Sequence, residues 1–312
     1  MYDLKGVLLV NQSVSIIIPT LNAAKELPKL LNKIKSQSIR VKEVIVIDSE
    51  SDDNTADIAK KNGTEVIKIK REEFDHGRTR NYAASISKGD ILVFITQDAL
   101  PEDNNTLEEL IRPLTKNVIV SYARQIPKPG TIITDKFLRL YNYPNKSIIK
   151  EKRDIQSMEI GAFQNSNVCA AYQREEFLLL KGFPEPIISN EDMLFASKAI
   201  FTGYKVAYVA EARVLHSHNY KCFDLFKRYF DIGVSLDNEP LIKKLGKANS
   251  KGMDFIVNQL KFAIKEKELF SIARVFLEAI FKYAGYKLGV RNRYIPNAIK
   301  KHISLNGNYW LK

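Results

Sequence analysis

The 312 residues predict an α/β protein, a mainly parallel sheet flanked by helices, followed by a helical carboxyl-terminal subdomain. Three observations carry that prediction. Short apolar runs alternate with helical patterns through the first half, and βα units of this kind imply parallel strands joined by right-handed crossovers. Polar turns rich in capping residues follow those runs. From about Phe223 the apolar residues are spaced for helix packing, with lysines between them.

Val14 to Thr20 is the first expected strand, and Asn22 is expected to cap a helix carrying Leu27, Leu30, Leu31 and Ile34 at helical spacing. Val41 to Asp48 is the second strand. The turn DSESDDNT leads into a short helix closed by Gly63. Glu65 to Lys70, Ile91 to Gln97 and Val118 to Ala123 supply further strands. Beyond Pro127 the pattern is irregular until GAFQNSNVCAAYQREEFLLLKGF, a strand running into a short helix that ends at Gly182. Asn190-Glu-Asp opens a helix through Ile200, and Lys205 to Leu215 is the last strand.

Composition bounds the function. A hydrophobic share of 45% argues for a folded chain, and the two cysteines, Cys169 and Cys222, form neither a CxxC pair nor a disulfide framework. A reducing cytoplasm is the expected home. Lys5, Asn11 and Gln12 interrupt the amino-terminal apolar stretch, so neither export nor a membrane-spanning helix is expected. The formal charge of +12 is uneven: from Leu241 to Lys312 there are 15 Lys and Arg against 4 Asp and Glu. Such a segment suits an anionic partner, with a lipid surface or nucleic acid as the physical options.

The chain has no GxGxxG after its first strand, no GxxxxGK[ST] and no HExxH, which disfavours dinucleotide redox chemistry and P-loop phosphoryl transfer. Instead Pro19, Thr20 and Asn22 end the first strand, and Asp48 ends the second, with Ser51 just beyond. Ligands of open α/β sheets gather at such strand ends. A base fits there, with Asp48 accepting from a ring N–H; the plainer reading is that Asp48 and Asn22 cap local turns. FDHGRTRN then places Arg78 and Arg80 before a helix, where forked guanidinium donors and free N–H groups suit phosphate. A solvated charged turn is the alternative. Chemistry alone assigns no role to Asp75 or His76.

Asp98 follows Gln97 at the end of an apolar strand. A carboxylate facing a diphosphate would repel it unless a hard divalent cation, Mg²⁺ or Mn²⁺, bridges the two. Glu191 and Asp192 head a helix whose dipole favours ionised carboxylates, and one facing the crevice could deprotonate a hydroxyl. First turns favour acids in any case. His216 and His218 close the last strand, where an imidazole could complete a metal shell.

In this order, PTLN, VIVIDSESDDNT, TRNYAASISKGDILVFITQDALP, GAFQNSN, NEDMLF and VLHSH resemble the inverting family 2 glycosyltransferases of GT-A (Rossmann-like) fold. The FDHGRTRN, TQDA, HSHNY, RYFDIGV, KYAGYKLG and NYW pieces resemble the rhamnosyltransferase branch. The resemblance implies a nucleotide-sugar-binding and catalytic domain over residues 1–222 and a basic, mainly helical region over 223–312. It makes Asp192 the general base, with Glu191 beside it. It makes Asp98 a metal ligand together with a histidine of the HSH pair, His216 preferred because it stands directly at the strand end. Where that family carries a DxD element, this chain reads Thr96-Gln97-Asp98, keeping only the last acid. Pro19, Thr20, Asn22, Asp48, Ser51, Arg78, Arg80 and Gln97 fall in the implied donor site, with Asp48 on thymine. Asn165, Asn167 and His76 fall in the implied acceptor or sugar pocket.

The implied donor is dTDP-L-rhamnose, and the implied acceptor is a hydroxyl of a glycan or lipid-linked saccharide; a UDP- or GDP-sugar donor is the alternative. The basic stretch 241–312 is expected to meet the anionic inner face of the membrane rather than nucleic acid. Its competing readings are a dimerisation element and a plain helical subdomain with solvated lysines. A nucleotidyltransferase would carry a glycine-rich loop after the first strand, and PTLNAAKEL contains no glycine. A non-catalytic binding module fits poorly with a near-neutral front part that holds both Asp98 and Asp192.

Overall fold

The computed structural model describes residues 12–237, 239 and 249–311; the start of the amino-terminal stretch and residues 241–248 of the basic segment lie outside the described residues. The strands are β1 (Val14–Thr20), β2 (Val41–Asp48), β3 (Glu65–Lys68), β4 (Ile91–Ile95), β5 (Leu100–Pro101), β6 (Val118–Ile126), β7 (Ile148–Lys150), β8 (Cys169–Gln173) and β9 (Lys205–Leu215). They form one sheet in the order β3-β2-β1-β4-β8-β6-β9-β5, with β7 also paired to β9. β8 runs antiparallel between β4 and β6, so β1, β2, β3, β4, β6 and β9 all share one direction.

The sheet is buried on both faces, which is why its central strands read as continuous apolar runs. Alternation sorts their side chains into two cores. Ile17, Ile45, Ile47, Leu92 and Phe94 pack on one face, and Ile16, Ile18, Val46, Ile91, Val93 and Ile95 on the other. Thr20 pairs with Asp48 at the ends of β1 and β2, so both strands stop at the same edge.

The described helices are α1 (Leu27–Lys35), α2 (Thr55–Lys61), α3 (His76–Ile86), α4 (Thr106–Ile111), α5 (Ile133–Asn142), α6 (Ile155–Met158), α7 (Arg174–Leu179), α8 (Glu191–Phe201), α9 (Cys222–Asp237), α10 (Asn249–Lys265), α11 (Ser271–Val290) and α12 (Asn297–Ile303). Three local expectations are corrected. Asn22 does not cap α1: it takes a left-handed backbone, φ 51°, and its side-chain oxygen accepts from the Asp52 N–H at 2.8 Å. α5 occupies the stretch after Pro127 that looked irregular. β4 stops at Ile95, which leaves Thr96 to Asp98 free to turn into the site.

In the carboxyl-terminal part α11 crosses α9 at very short range. A methyl on Gly285 or Gly289 would lie 2.2 Å from the carbonyl oxygen of Phe226 or Phe230, so KYAGYKLG needs its glycines for backbone contact. Cys169 and Cys222 are both free. No helix among the described residues is long and apolar enough to cross a membrane.

Candidate active site

A cavity of about 410 Å³ opens at the carboxyl ends of β1, β2 and β4. Of the residues expected at a donor site, Pro19, Thr20, Arg80 and Gln97 line it, joined by His76. Gln97 stands where the resemblance expects an acid. Its amide accepts from Leu21 N–H at 2.8 Å and donates to Leu21 carbonyl at 3.1 Å, tying the end of β4 to the end of β1.

Asp48 and Ser51 turn to each other instead. The Asp48 carboxylate accepts from the Ser51 hydroxyl at 2.5 Å and its N–H at 3.2 Å, and Asp48 is 2% exposed. The neighbouring Ser49 lines the cavity in their place. Here the plain reading of Asp48 as a turn-holding residue fits the geometry, and Asn22 likewise braces the turn, its N–H donating to Ser51 at 2.9 Å.

The paired arginines separate. Asp75 caps α3 by accepting from the Gly77 and Arg78 N–H groups at 3.0 and 2.9 Å, so the helix begins at His76 and contains both arginines. Two positions along a helix are about 200° apart around its axis, and only one can face the cavity. Arg80 does. Arg78 points outward to Glu185 at 3.4 Å, with half its side chain exposed. Asp75 also accepts from Ile187 N–H at 2.9 Å, and a methyl on Gly77 would lie 2.0 Å from the Pro184 carbonyl oxygen. The unassigned half of FDHG therefore fastens α3 to the segment leading into α8.

Arg80 is 5% exposed and sits 3.4 Å from Glu191, while its Nε is buried with no hydrogen-bond partner. Glu191 also lies 3.9 Å from His76 and accepts from the Asn167 amide at 3.0 Å. Burial pushes the Glu191 carboxyl up, but the Arg80 charge, helped by the hydrogen bond from Asn167, overcomes it and holds the group below its usual range. Burial likewise lowers His76, keeping the imidazole neutral.

Asp192 behaves in the opposite way. Burial, reinforced by the Glu191 charge next to it, raises its carboxyl to about 7, against the pull of the Asn167 and Met193 N–H groups that donate to it at 2.9 and 2.7 Å. A carboxylate that titrates near neutrality is matched to taking a proton at physiological pH. Asn165 and Asn167 do not open onto a sugar. Asn165 donates to the Tyr172 hydroxyl and the Asp192 carbonyl and accepts from Ser166 N–H, and Asn167 accepts from the Tyr172 hydroxyl at 2.7 Å. Their amides are committed to holding the two acids.

Asp98, His216 and His218 converge, with one ligand atom from each lying within 4.8 Å of the others. The Asp98 carboxylate is 3.3 Å from His216 Nε2 and 3.8 Å from His218 Nδ1. Burial raises the Asp98 carboxyl, but the imidazoles of His216 and His218 beside it outweigh that and hold it well below the usual range. Burial also lowers both imidazoles, His218 to about 3. The set is one carboxylate and two neutral imidazoles, a donor set that fits a divalent ion with some affinity for nitrogen.

A residue with no visible sequence signal orients that set. Gln125 Oε1 accepts from Arg139, so the His216 Nδ1 facing it at 3.0 Å must be the protonated nitrogen, which leaves Nε2 free as a ligand. Arg139 is held by Asp135, which also accepts from His218 N–H at 3.1 Å. The two halves of the site share one segment. Gln125 donates to the Ser166 hydroxyl at 2.9 Å, and the next residue, Asn167, donates to Asp192. Other cavity residues also escaped the sequence reading: Arg71, Phe74, and Leu305 to Tyr309 at the far end of the chain. Their traces in the sequence were the FDHGRTRN piece, which Phe74 opens, and the NYW piece, which holds Asn308 and Tyr309.

Arg80 and Gln97 line the cavity at the strand ends, and through them it adjoins the two acid groups, Asp98 being the next residue after Gln97 and Glu191 the partner of Arg80; fold and site together are those of a glycosyltransferase. The chain belongs to glycosyl transferase family 2, whose family model matches residues 15–178. It is 38% identical to the O-antigen chain rhamnosyltransferase RfbN of Salmonella typhimurium, covering 95% of this chain and 96% of that one. It is also 38% identical to the O-antigen chain rhamnosyltransferase WbaN of Salmonella anatum, covering 96% of each chain. Among solved structures, the mannosyltransferase PcManGT of Pyrobaculum calidifontis, in complex with GDP-Man and Mn²⁺, shares the fold with a TM-score of 0.61 and 18% identity over 93% of this chain and 90% of that one. The GT-A fold expected from the resemblance is therefore the fold observed.

Proposed function

We propose that the protein transfers L-rhamnose from dTDP-L-rhamnose to a hydroxyl of a polysaccharide precursor, with inversion at the anomeric carbon. The carrying observation is the placement of Asp192 and the Asp98, His216 and His218 cluster on either side of the Ser166-Asn167 segment. The names of the relatives support rhamnose and an O-antigen type of acceptor. The acceptor hydroxyl gives its proton to Asp192 as its oxygen bonds the anomeric carbon and the bond to the nucleotide diphosphate breaks. The Asn167 and Met193 N–H groups hold that carboxylate in place, the Asn167 amide also donates to Glu191, and Arg80 lends positive charge to the cavity. A divalent cation held by Asp98, His216 and His218 would supply charge stabilisation for the departing diphosphate. Because two of its ligands are imidazoles, Mn²⁺ suits the site better than Mg²⁺.

The donor is tested by offering dTDP-, UDP- and GDP-sugars with Mn²⁺ and measuring the nucleotide diphosphate released. dTDP-rhamnose should be consumed faster than any other donor, by about tenfold or more in kcat/KM, since a site built on specific polar contacts discriminates strongly. A faster reaction with UDP- or GDP-sugar would overturn the assignment of donor while leaving the transferase.

The same reading puts the enzyme on an anionic membrane surface, where a lipid-linked acceptor would be found. On α11 Phe276, Ile280 and Tyr283 are 51%, 63% and 64% exposed, and Phe270 just before it is fully exposed. They recur at helical spacing beside Lys287, so an apolar stripe and basic residues share one surface, the pattern of an interfacial helix. Each lysine near an anionic surface adds about 1 kcal/mol before screening. The protein should float with phosphatidylglycerol vesicles at low salt, and a Phe270→Ser, Phe276→Ser, Ile280→Ser variant should not. Equal flotation of both would remove this face from the account, and a wild type that dimerises without floating would assign the stripe to a second copy.

A further inference from the structure

The last residues of the chain do not trail away from the catalytic fold. After α12 they turn back, and Leu305 to Tyr309 form one wall of the cavity. One buried carboxylate on α9 meets them. Asp231, 2% exposed, accepts from the N–H groups of Leu305 and Asn306 at 3.0 and 3.2 Å and from the Asn306 amide at 3.4 Å. The Asn306 amide also donates to the Ile188 carbonyl at 3.1 Å, two residues before the Asn190-Glu191-Asp192 turn. Behind this, Tyr309 and Trp310 pack on a small core of Ile188, Phe230 and Val234.

We propose that Leu305 to Tyr309 is a nucleoside-recognition wall of the donor site, and that Asp231 is the positioning residue that holds it against the strand ends. This rests on reading the cavity as the donor site. The division of labour follows from which polar groups are spent. Asn306 is consumed in anchoring, whereas Asn308 and Tyr309, also among the residues lining the cavity, carry an amide and a phenol, the donors and acceptors that a pyrimidine edge or a sugar hydroxyl requires. Arg71 and Phe74 line the same cavity, so the tail shares it with a cation and an aromatic ring. Burial raises the Asp231 carboxyl to about 6, still ionised at neutral pH and able to accept all of its bonds.

Among the described residues four helices follow β9, and the wall gives three of them a part in the site. α9 carries Asp231, the glycine crossing fixes α11 on α9, and α12 delivers the tail to its anchor.

The test compares wild type with Asp231→Ala, Asp231→Asn and Asn308→Ala, measuring dTDP binding by calorimetry, kcat and KM for the nucleotide sugar, and Tm. Asp231→Ala should weaken dTDP binding and raise donor KM by about tenfold or more, the worth of one or two lost hydrogen bonds, with kcat at saturating donor nearly kept. Asp231→Asn, whose amide oxygen still accepts from the tail, should recover most of that loss. Asn308→Ala should raise donor KM with Tm unchanged. A merely structural Asp231 would instead lower Tm and kcat through loss of folded enzyme, with KM unmoved. If the Asp231 variants do not fold, unchanged donor KM in Asn308→Ala overturns the proposal. Wild type that binds no dTDP overturns the donor reading itself, whereas wild type and Asn308→Ala binding dTDP equally well overturns only the wall.

Discussion

Asp192→Asn is expected to leave a folded protein that still binds dTDP but transfers sugar about a thousandfold more slowly. The substitution keeps the side-chain volume, and its amide oxygen can still accept one of the two backbone N–H groups that now hold the carboxylate. What disappears is the carboxylate whose affinity for a proton is matched to neutral pH. General-base catalysis contributes about 10²–10⁴ in rate, or about 3–5 kcal/mol of barrier. Turnover within about tenfold of wild type would remove Asp192 from the reaction.

The wild-type pH profile carries the same assignment independently. Burial and the Glu191 charge raise the Asp192 carboxyl to about 7, and the group works when deprotonated. kcat/KM should therefore climb by about tenfold per pH unit on the acid side and level off above neutrality. In Asp192→Asn the small residual rate should lack that limb. An acid limb centred near pH 4 in the wild type would mean that the base sits in open water, contrary to its packing beneath Asn167.

The strand ends were legible in the sequence because burial on both faces leaves an unbroken apolar run, and the first polar residues after it mark the edge of the sheet. That is how Asp98 and His216 could be located from residues alone. The histidines stand at the end of β9 and Asp98 just past β4, two strands separated in the sheet by β8 and β6, and what brings them together is β5, directly after Asp98, which pairs antiparallel with the end of β9, Leu100 opposite Leu215. Helix starts were harder. FDHGRTRN looks like a loop with two phosphate-gripping arginines; once Asp75 caps the helix one residue earlier, rotation sends Arg78 to Glu185 and Arg80 to Glu191.

Polar residues that are spent inside the protein were not distinguishable from polar residues offered to a ligand. Asn165, Asn167, Asp48 and Ser51 have the right chemistry for a sugar or a base, and only the hydrogen-bond partners reveal that they brace the site instead. Gln125 left no trace because it belongs to no motif and lies near the end of β6, past the expected strand Val118 to Ala123; its importance comes from facing His216. The tail was invisible for a related reason. No local spacing encodes that Asn306 will meet Asp231 across 75 residues of chain.

Removing the divalent ion is the second large effect expected. Protein treated with EDTA should lose transfer, and Mn²⁺ should restore it. Asp98→Ala should weaken Mn²⁺ binding, measured by calorimetry on the protein alone, and lower turnover by about 100-fold or more at a fixed low Mn²⁺ concentration. The side chain is a quarter exposed, so the loss should not come from unfolding. Gln125→Leu makes the argument sharper because Gln125 is not itself a ligand. It removes the acceptor that fixes the His216 tautomer, and outer partners of this kind set metal affinity by about 10–100-fold. The loss should be recovered at high Mn²⁺, since the three ligand atoms remain. Full turnover after EDTA, with no Mn²⁺ bound, would reduce the cluster to a neutral histidine pair beside a carboxylate. Metal binding that survives Gln125→Leu unchanged would instead leave the cluster and strike out the orienting role of Gln125.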